Sequence, residues 1–444
     1  MRAIVLEDQN YTAALSIVRA LGALRHTVAV AAPWPTPATL SRWCGEAIVA
    51  PWARDRARYR DFVLSLLAAG AYDIGFACTD TVVEAIFDLR TEFPPRPDFL
   101  LPPHESLAIA LSKLSAPQLA AGLGVPAPRT MAPCSADELE VVAKEWGFPL
   151  VVKGETGSGG GHVRYAAHMD DLRRAYQETA ASGHIGRPIL QEFVPGEVYL
   201  THVLYNHGEL VGICSHLKER HFPVTGGVTA RGRTVREPQL DEYAARIFSG
   251  LRWHGPAKAD FVRDARDGVF KLMELDPRIS ASIDIPQAAG VDMVEMSCGM
   301  AAGERIEPRL SYAPGVRVRY VCRDALCVAA RPSLVGSFLL DSLNPRIRSD
   351  FDWGDMRGNL GLMWRAKWAF ESAWAKDQFT ATRRGIGVPA HESALRGGLH
   401  RAVLMPMLVA LRAAVLPYRA ARLVRQRTRR RLRGTATRRV GAAK

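Results

Sequence analysis

Apolar positions follow two rhythms in the first hundred residues of this 444-residue chain. Residues 3–6, 27–32, 47–49 and 74–78 are short, nearly unbroken apolar runs, the pattern of buried strands. Between them, residues 11–24 and 59–69 place apolar side chains at helical spacing. Strand and helix in alternation predict a doubly wound α/β unit, a parallel sheet covered by helices. Pro94, Pro95, Pro97, Pro102 and Pro103 close this pattern near residue 100. No G-x-G-x-x-G follows the first strand, which argues against a nicotinamide or flavin dinucleotide there.

The pattern then changes. A helix is expected over 106–122, a proline-punctuated strand over 125–130, a helix over 136–146 and a strand over 149–154. From there to about residue 300 the chain reads as α+β with several antiparallel strands. Residues 316–395 are less periodic and read as a third, smaller unit.

Composition adds two constraints. With 48% hydrophobic and 23% charged residues the chain is globular, and its length exceeds one ordinary core. The net charge of +13 belongs to the end of the chain. Residues 396–444 hold 13 Arg, one Lys and no acid, so the remaining body carries a net charge of −1. The body is therefore no general polyanion binder. Seven scattered cysteines form no C-x-x-C pair, and no Cys/His spacing suits zinc. Glu7 and Asp8 stand where a signal peptide needs its apolar stretch, so a reducing cytoplasm is expected.

Three stretches carry candidate chemistry. In Pro149-Leu-Val-Val-Lys153-Gly-Glu-Thr-Gly157-Ser158-Gly159-Gly160-Gly161, a strand delivers a lysine into a glycine-dense turn. Backbone N–H groups without Cβ atoms can surround phosphate oxygens, and the lysine adds a point charge. Taken alone, a flexible surface hairpin explains it about as well. In Ile189-Leu-Gln191-Glu192-Phe-Val194-Pro-Gly-Glu197, an apolar strand ends in polar groups that can read a base, and Glu197 can accept from ribose hydroxyls. Many strands end this way, so that signal is weak.

The third stretch is the strongest. Lys258-Ala-Asp260-Phe-Val-Arg-Asp264 and Val269-Phe-Lys-Leu-Met-Glu274-Leu-Asp276-Pro-Arg278 flank a D-G turn, Asp267-Gly268. An antiparallel hairpin would bring Asp260 near Glu274, with Glu274 and Asp276 on one face. Three crowded carboxylates repel unless cations neutralise them, and hard oxygens suit Mg²⁺. The plainer reading is a solvated hairpin. Phe261, Leu272 and Leu275 argue instead for a half-buried sheet.

Taken in order, these motifs resemble the ATP-grasp superfamily over residues 1–300, with most likeness to carboxylate–amine ligases and the carbamoyl-phosphate-synthase-like branch. The resemblance implies a pre-ATP-grasp α/β domain over 1–105, a small lobe with a glycine lid over 106–195 and a large metal-binding lobe over 196–310. An extension over 311–395 and a basic amphipathic tail over 396–444 would follow. It implies that Lys113 and Lys153 contact ATP phosphates under a lid of Gly157, Ser158, Gly159, Gly160 and Gly161. Gln191, Glu192 and Val194 would frame adenine, and Glu197 the ribose. Asp260, Glu274 and Asp276 would hold two Mg²⁺ ions, with Mn²⁺ able to substitute, while Lys258 and Arg278 act on the transferring phosphate and the acyl phosphate. The last motif usually reads E-x-N-P-R, and here Asp276 replaces the asparagine, which adds a negative charge.

The expected activity is a carbon–nitrogen ligase joining a small-molecule carboxylate to an amine through an acyl phosphate. An ATP-dependent carboxylase of the biotin-carboxylase-like type and a non-catalytic ATP-binding module are the alternatives. Between the motifs, residues 215–227 read either as a loop at the acceptor pocket, where Lys218 or Arg220 meets an anionic substrate, or as an ordinary surface hairpin. Trp364 and Trp368 share a helical face and suit packing. Residues 399–418 are apolar but interrupted by Arg401, Arg412, Pro406 and Pro417, so a spanning helix is not expected. With the arginines that follow they suit peripheral contact at the inner membrane face. A disordered basic extension explains them as well. No specific nucleic acid is expected, and a homodimer stays open.

Overall fold

The structure, a computed structural model, describes residues 1–375 apart from 9–10, 95, 157–162, 182–186 and 223–226. The basic tail and the expected lid lie outside the described residues. Among the described residues no helix is long and apolar enough to cross a membrane.

Fifteen strands form three sheets among these residues. The first is parallel, in the order β3-β2-β1-β4, from β1 (Arg2–Leu6), β2 (Thr27–Ala32), β3 (Glu46–Val49) and β4 (Ile74–Ala77). Ala3, Ile4, Val5 and Leu6 are all fully buried, because helices cover both faces of a parallel sheet. The helix Tyr11–Ala23 packs on β1 and β2, and Arg56–Ala68 and Asp80–Phe87 pack on each other. The latter starts at Thr79, whose hydroxyl accepts the Val82 N–H at 3.2 Å.

The second sheet is antiparallel, in the order β5-β8-β6-β7, from β5 (Thr130–Met131), β6 (Leu150–Gly154), β7 (Arg164–Ala166) and β8 (Pro188–Glu192). The helices Ala136–Trp146 and Met169–Ala181 cover one side through Leu139, Val142, Leu172 and Ala175. The third sheet has seven strands in the order β13-β12-β9-β10-β11-β14-β15. They are β9 (Gly196–Asn206), β10 (Glu209–Phe222), β11 (Val228–Thr234), β12 (Gly255–Asp264), β13 (Phe270–Asp276), β14 (Arg317–Arg319) and β15 (Ile347–Ser349). The helix Pro238–Gly250 buries Leu240, Tyr243, Ala244, Ile247 and Phe248 against it.

Three local expectations need correction. The single helix expected over 106–122 is two helices, His104–Leu111 and Ser115–Gly122. The Ser112 hydroxyl accepts the Ser115 N–H at 3.0 Å, which starts a second helix and turns Lys113 out between the two. Residues 215–222 are part of β10, not a loop, because they alternate between the sheet's two faces. Residues 316–349 add β14 and β15 to the large sheet, and the helix Met356–Ala375 returns to the first unit. There it crosses the short helix Pro37–Leu40 so closely that a Cβ on Gly361 would lie 2.7 Å from Pro37 Cα. Arg19 fastens the same joint, donating to Asp355 at 3.0 Å and to the Asp350 carbonyl at 2.6 Å.

Candidate active site

The D-G turn folds β12 back on β13, with Gly268 at φ +75°, a conformation that needs no Cβ. The register sets Lys258 opposite Asp276 and Asp260 opposite Glu274. One oxygen from each of Asp260, Glu274 and Asp276 lies within 4.8 Å of the others. Three hard oxygen donors with no imidazole or thiolate fit a magnesium-like cation.

The protein brings its own cations to this cluster. Lys258 Nζ bonds Asp260 Oδ1 and lies 2.6 Å from Asp276 Oδ2. Lys218 Nζ is 4.0 Å from Asp260 Oδ2. Arg278 reaches Asp276 Oδ1 at 3.3 Å and Asp80 Oδ1 at 2.6 Å. Glu274 is different: it makes no hydrogen bond or salt bridge with another described residue. The crowded acids need cations to neutralise them, and two lysines and an arginine of the protein already share that charge.

Burial and charge pull these groups in opposite directions. Burial pushes the Asp260 carboxyl up, against Lys258 and Lys218. Burial would raise Asp276 too, but Arg278 and Lys258 outweigh it and hold it below the usual carboxylate range. Lys258, which burial alone would depress, is held above its ordinary value by Asp260, Asp276 and Glu274.

β6 of the second sheet supplies Lys153, which is buried. Its pKa falls to about 8, chiefly by burial; the Glu274 carboxylate opposes the fall and Lys113 adds to it. The Lys113 N–H donates to the Glu155 carbonyl at 2.9 Å, which fixes that turn to the end of β6.

The base-reading candidates follow along β8 and the start of β9. Gln191 is fully buried, donates to Thr130 Oγ1 at 2.9 Å, and its Oε1 has no partner among the described residues. The Glu192 carboxylate meets Arg266 at 2.8 Å and Arg129 at 3.3 Å. Val194 is buried, and Glu197 accepts the Tyr199 hydroxyl at 3.0 Å. Gly157, Ser158, Gly159, Gly160 and Gly161 lie outside the described residues. Of the two acceptor-pocket candidates, Lys218 faces the carboxylates, whereas Arg220 is taken up by Asp324 and Asp341.

Sequence reasoning passed over Asp80 and the buried, stacked pair His202 and His216, whose ring centroids are 5.1 Å apart. Asp80 could have been found. It stands just past the carboxyl end of β4, beside β1, where the parallel strand order reverses, the place where such sheets present functional groups.

No protein-family profile matches the chain. A stretch of 224 residues is 27% identical to pyruvate carboxylase of Aspergillus terreus, covering 47% of this chain and 18% of that enzyme. A stretch of 194 residues is 24% identical to the N-terminal section of the carbamoyl phosphate synthase large chain of Methanopyrus kandleri, covering 42% of this chain and 34% of that one. The chain thus spans well under half the length of these relatives. Among solved structures, biotin carboxylase of Campylobacter jejuni superposes with a TM-score of 0.58 at 16% identity, covering 71% of this chain and 74% of that one. L-amino acid ligase of Bacillus licheniformis gives 0.52 at 15% identity, over 69% and 77% of the two chains. This chain has the ATP-grasp fold.

Proposed function

We propose that this protein is an ATP-dependent ligase that converts a carboxylate into an acyl phosphate for attack by an amine, releasing ADP and phosphate. The observation that carries this reading is the cluster of Asp260, Glu274 and Asp276 oxygens within 4.8 Å of one another, with Lys153 of the opposite sheet in its field. Binding a nucleotide alone does not require so many oxygen donors. The pyruvate carboxylase and carbamoyl phosphate synthase relatives and the L-amino acid ligase neighbour support a carboxylate-using reaction.

In this reading Lys113 and Lys153 draw the triphosphate into the cleft, and Gln191, Glu192, Val194 and Glu197 frame the nucleoside. Asp260, Glu274 and Asp276 hold Mg²⁺, which when bound polarises the phosphates and offsets charge in the phosphoryl transfer. Arg278 keeps its guanidinium aimed by two carboxylates, Asp80 and Asp276, and stabilises the oxyanion of the acyl phosphate under attack. Lys258 neutralises the acids that would otherwise repel the phosphates.

The biotin carboxylase neighbour favours a second reading, an ATP-dependent carboxylase that takes bicarbonate. Hydroxylamine trapping separates the two. A ligase supplied with its acid yields a hydroxamate with ADP, and bicarbonate adds nothing. ADP release that depends on bicarbonate selects the carboxylase. No ADP release with any acid or with bicarbonate rejects catalysis.

A further inference from the structure

We infer that the Lys258 ammonium permanently occupies one of the cation positions among these carboxylates, so that the site takes one divalent ion per nucleotide instead of two. This rests on the nucleotide-binding reading above and narrows it.

Strand alternation forces the arrangement. Lys258 precedes Asp260 by two residues on the same face of β12, and the antiparallel register sets it directly opposite Asp276. Its side chain is 7% exposed, and Nζ engages one oxygen of each aspartate. The other Asp276 oxygen faces Arg278 Nη2 at 3.3 Å, so both oxygens of that carboxylate are in use. The second Asp260 oxygen has only Lys218 Nζ, at the longer distance of 4.0 Å. Of the three acids grouped above, Asp276 therefore serves Lys258 and Arg278 and not a metal ion. What remains for a metal is the Glu274 carboxylate, bonded to no described residue, with one oxygen of Asp260. That set serves one octahedral ion completed by phosphates and water. A second ion would need the oxygens that Lys258 now holds.

Charge agrees with an ammonium held at this place, since Lys258 pairs with both Asp260 and Asp276. The Asp276 that stands where the resembling motif has asparagine adds one negative charge, and Lys258 opposite it cancels that charge. Moving the ammonium aside would leave Asp276 with Arg278 alone and Asp260 with only the more distant Lys218.

Counting manganese tests this without measuring turnover. The full chain is saturated with the non-hydrolysable β,γ-imido analogue of ATP and titrated with Mn²⁺, free ion being read by electron paramagnetic resonance. The expected result is one nucleotide-dependent Mn²⁺ per wild-type chain and a doubling to two in Lys258→Met, with Lys258→Gln as the second variant should the first not fold. Two ions on the wild type overturn the inference, as does a folded Lys258 variant that stays at one. No nucleotide-dependent ion on the wild type overturns the nucleotide-binding reading itself, a different and recognisable failure.

Discussion

Two buried ionic clusters share the large sheet, and they are balanced in opposite ways. At β10 and β11, Arg220 and Arg231 converge on Asp341, Arg220 and Arg319 hold Asp324, and Arg231, Arg233 and Arg317 share Glu219. Five guanidiniums meet three carboxylates, and each acid is engaged more than once. At β12 and β13 three acids meet Lys258, Lys218 and Arg278, yet the Glu274 carboxylate makes no hydrogen bond or salt bridge among the described residues. The first cluster clamps the helices Val321–Ala330 and Val335–Leu343 to the sheet, and each of its three carboxylates is taken up by guanidiniums. The second keeps a bare oxygen pair where a cation can enter. An ionic cluster whose acids are all shared can only hold the fold, and one that leaves a carboxylate unbonded can still take a ligand.

The sharpest way to break this comparison is to remove Glu274. Glu274→Ala is expected to lower ADP formation at least about 1000-fold, about 4 kcal/mol of barrier. Its melting midpoint should stay within about 2 °C of wild type, because no protein partner is lost. A large fall in the midpoint would make Glu274 structural and erase the contrast.

Asp324→Ala is the mirror experiment. Breaking the buried ion pairs of Asp324, which takes one of two acids from Arg220 and the acid of Arg319, should cost about 3 kcal/mol in denaturant unfolding, with turnover per folded molecule unchanged. Full stability with lost turnover would invert the assignment of the two clusters.

Glu7 extends the comparison to an acid with weak neutralisation. Burial pushes its carboxyl to about 7, and the Thr36 hydroxyl and the field of Arg365 only partly oppose this. A raised carboxyl favours the folded state most below its ordinary value near 4.5. That contribution is lost as the pH rises through about 7. Between pH 5 and pH 8, wild type should therefore lose of order 2 kcal/mol relative to Glu7→Gln in denaturant unfolding. Parallel pH profiles for the two proteins would show that Glu7 is ionised in the fold.

The acidic hairpin was legible because it rests on local rules. Its D-G turn, its period-two alternation and the apolar Phe261, Leu272 and Leu275 set both register and burial, and Lys258, Asp260, Glu274 and Asp276 meet as their spacing required. The parallel sheet was legible for the same reason, since its strands are buried on both faces and read as apolar runs. What was not legible depends on tertiary placement. Asp80 reaches Arg278 across 198 positions of sequence, and Lys218 joins the acids only because β10 lies two strands from β12. The ends of β14 and β15 are three-residue strands, too short to carry a period, and they are defined by the sheet edge they extend. The helix break at Ser112 turns on a single hydroxyl.

The joint at Arg19, Asp355 and Gly361 carries a consequence for biosynthesis. More than three hundred residues separate its two sides, so a ribosome makes the first sheet long before the helix that covers Pro37–Leu40 exists. Until that helix emerges, the nascent chain presents an unsealed flank, and ribosome-bound chains stopped before residue 350 should be cut by protease near Ser41 and Arg42, where completed chains resist.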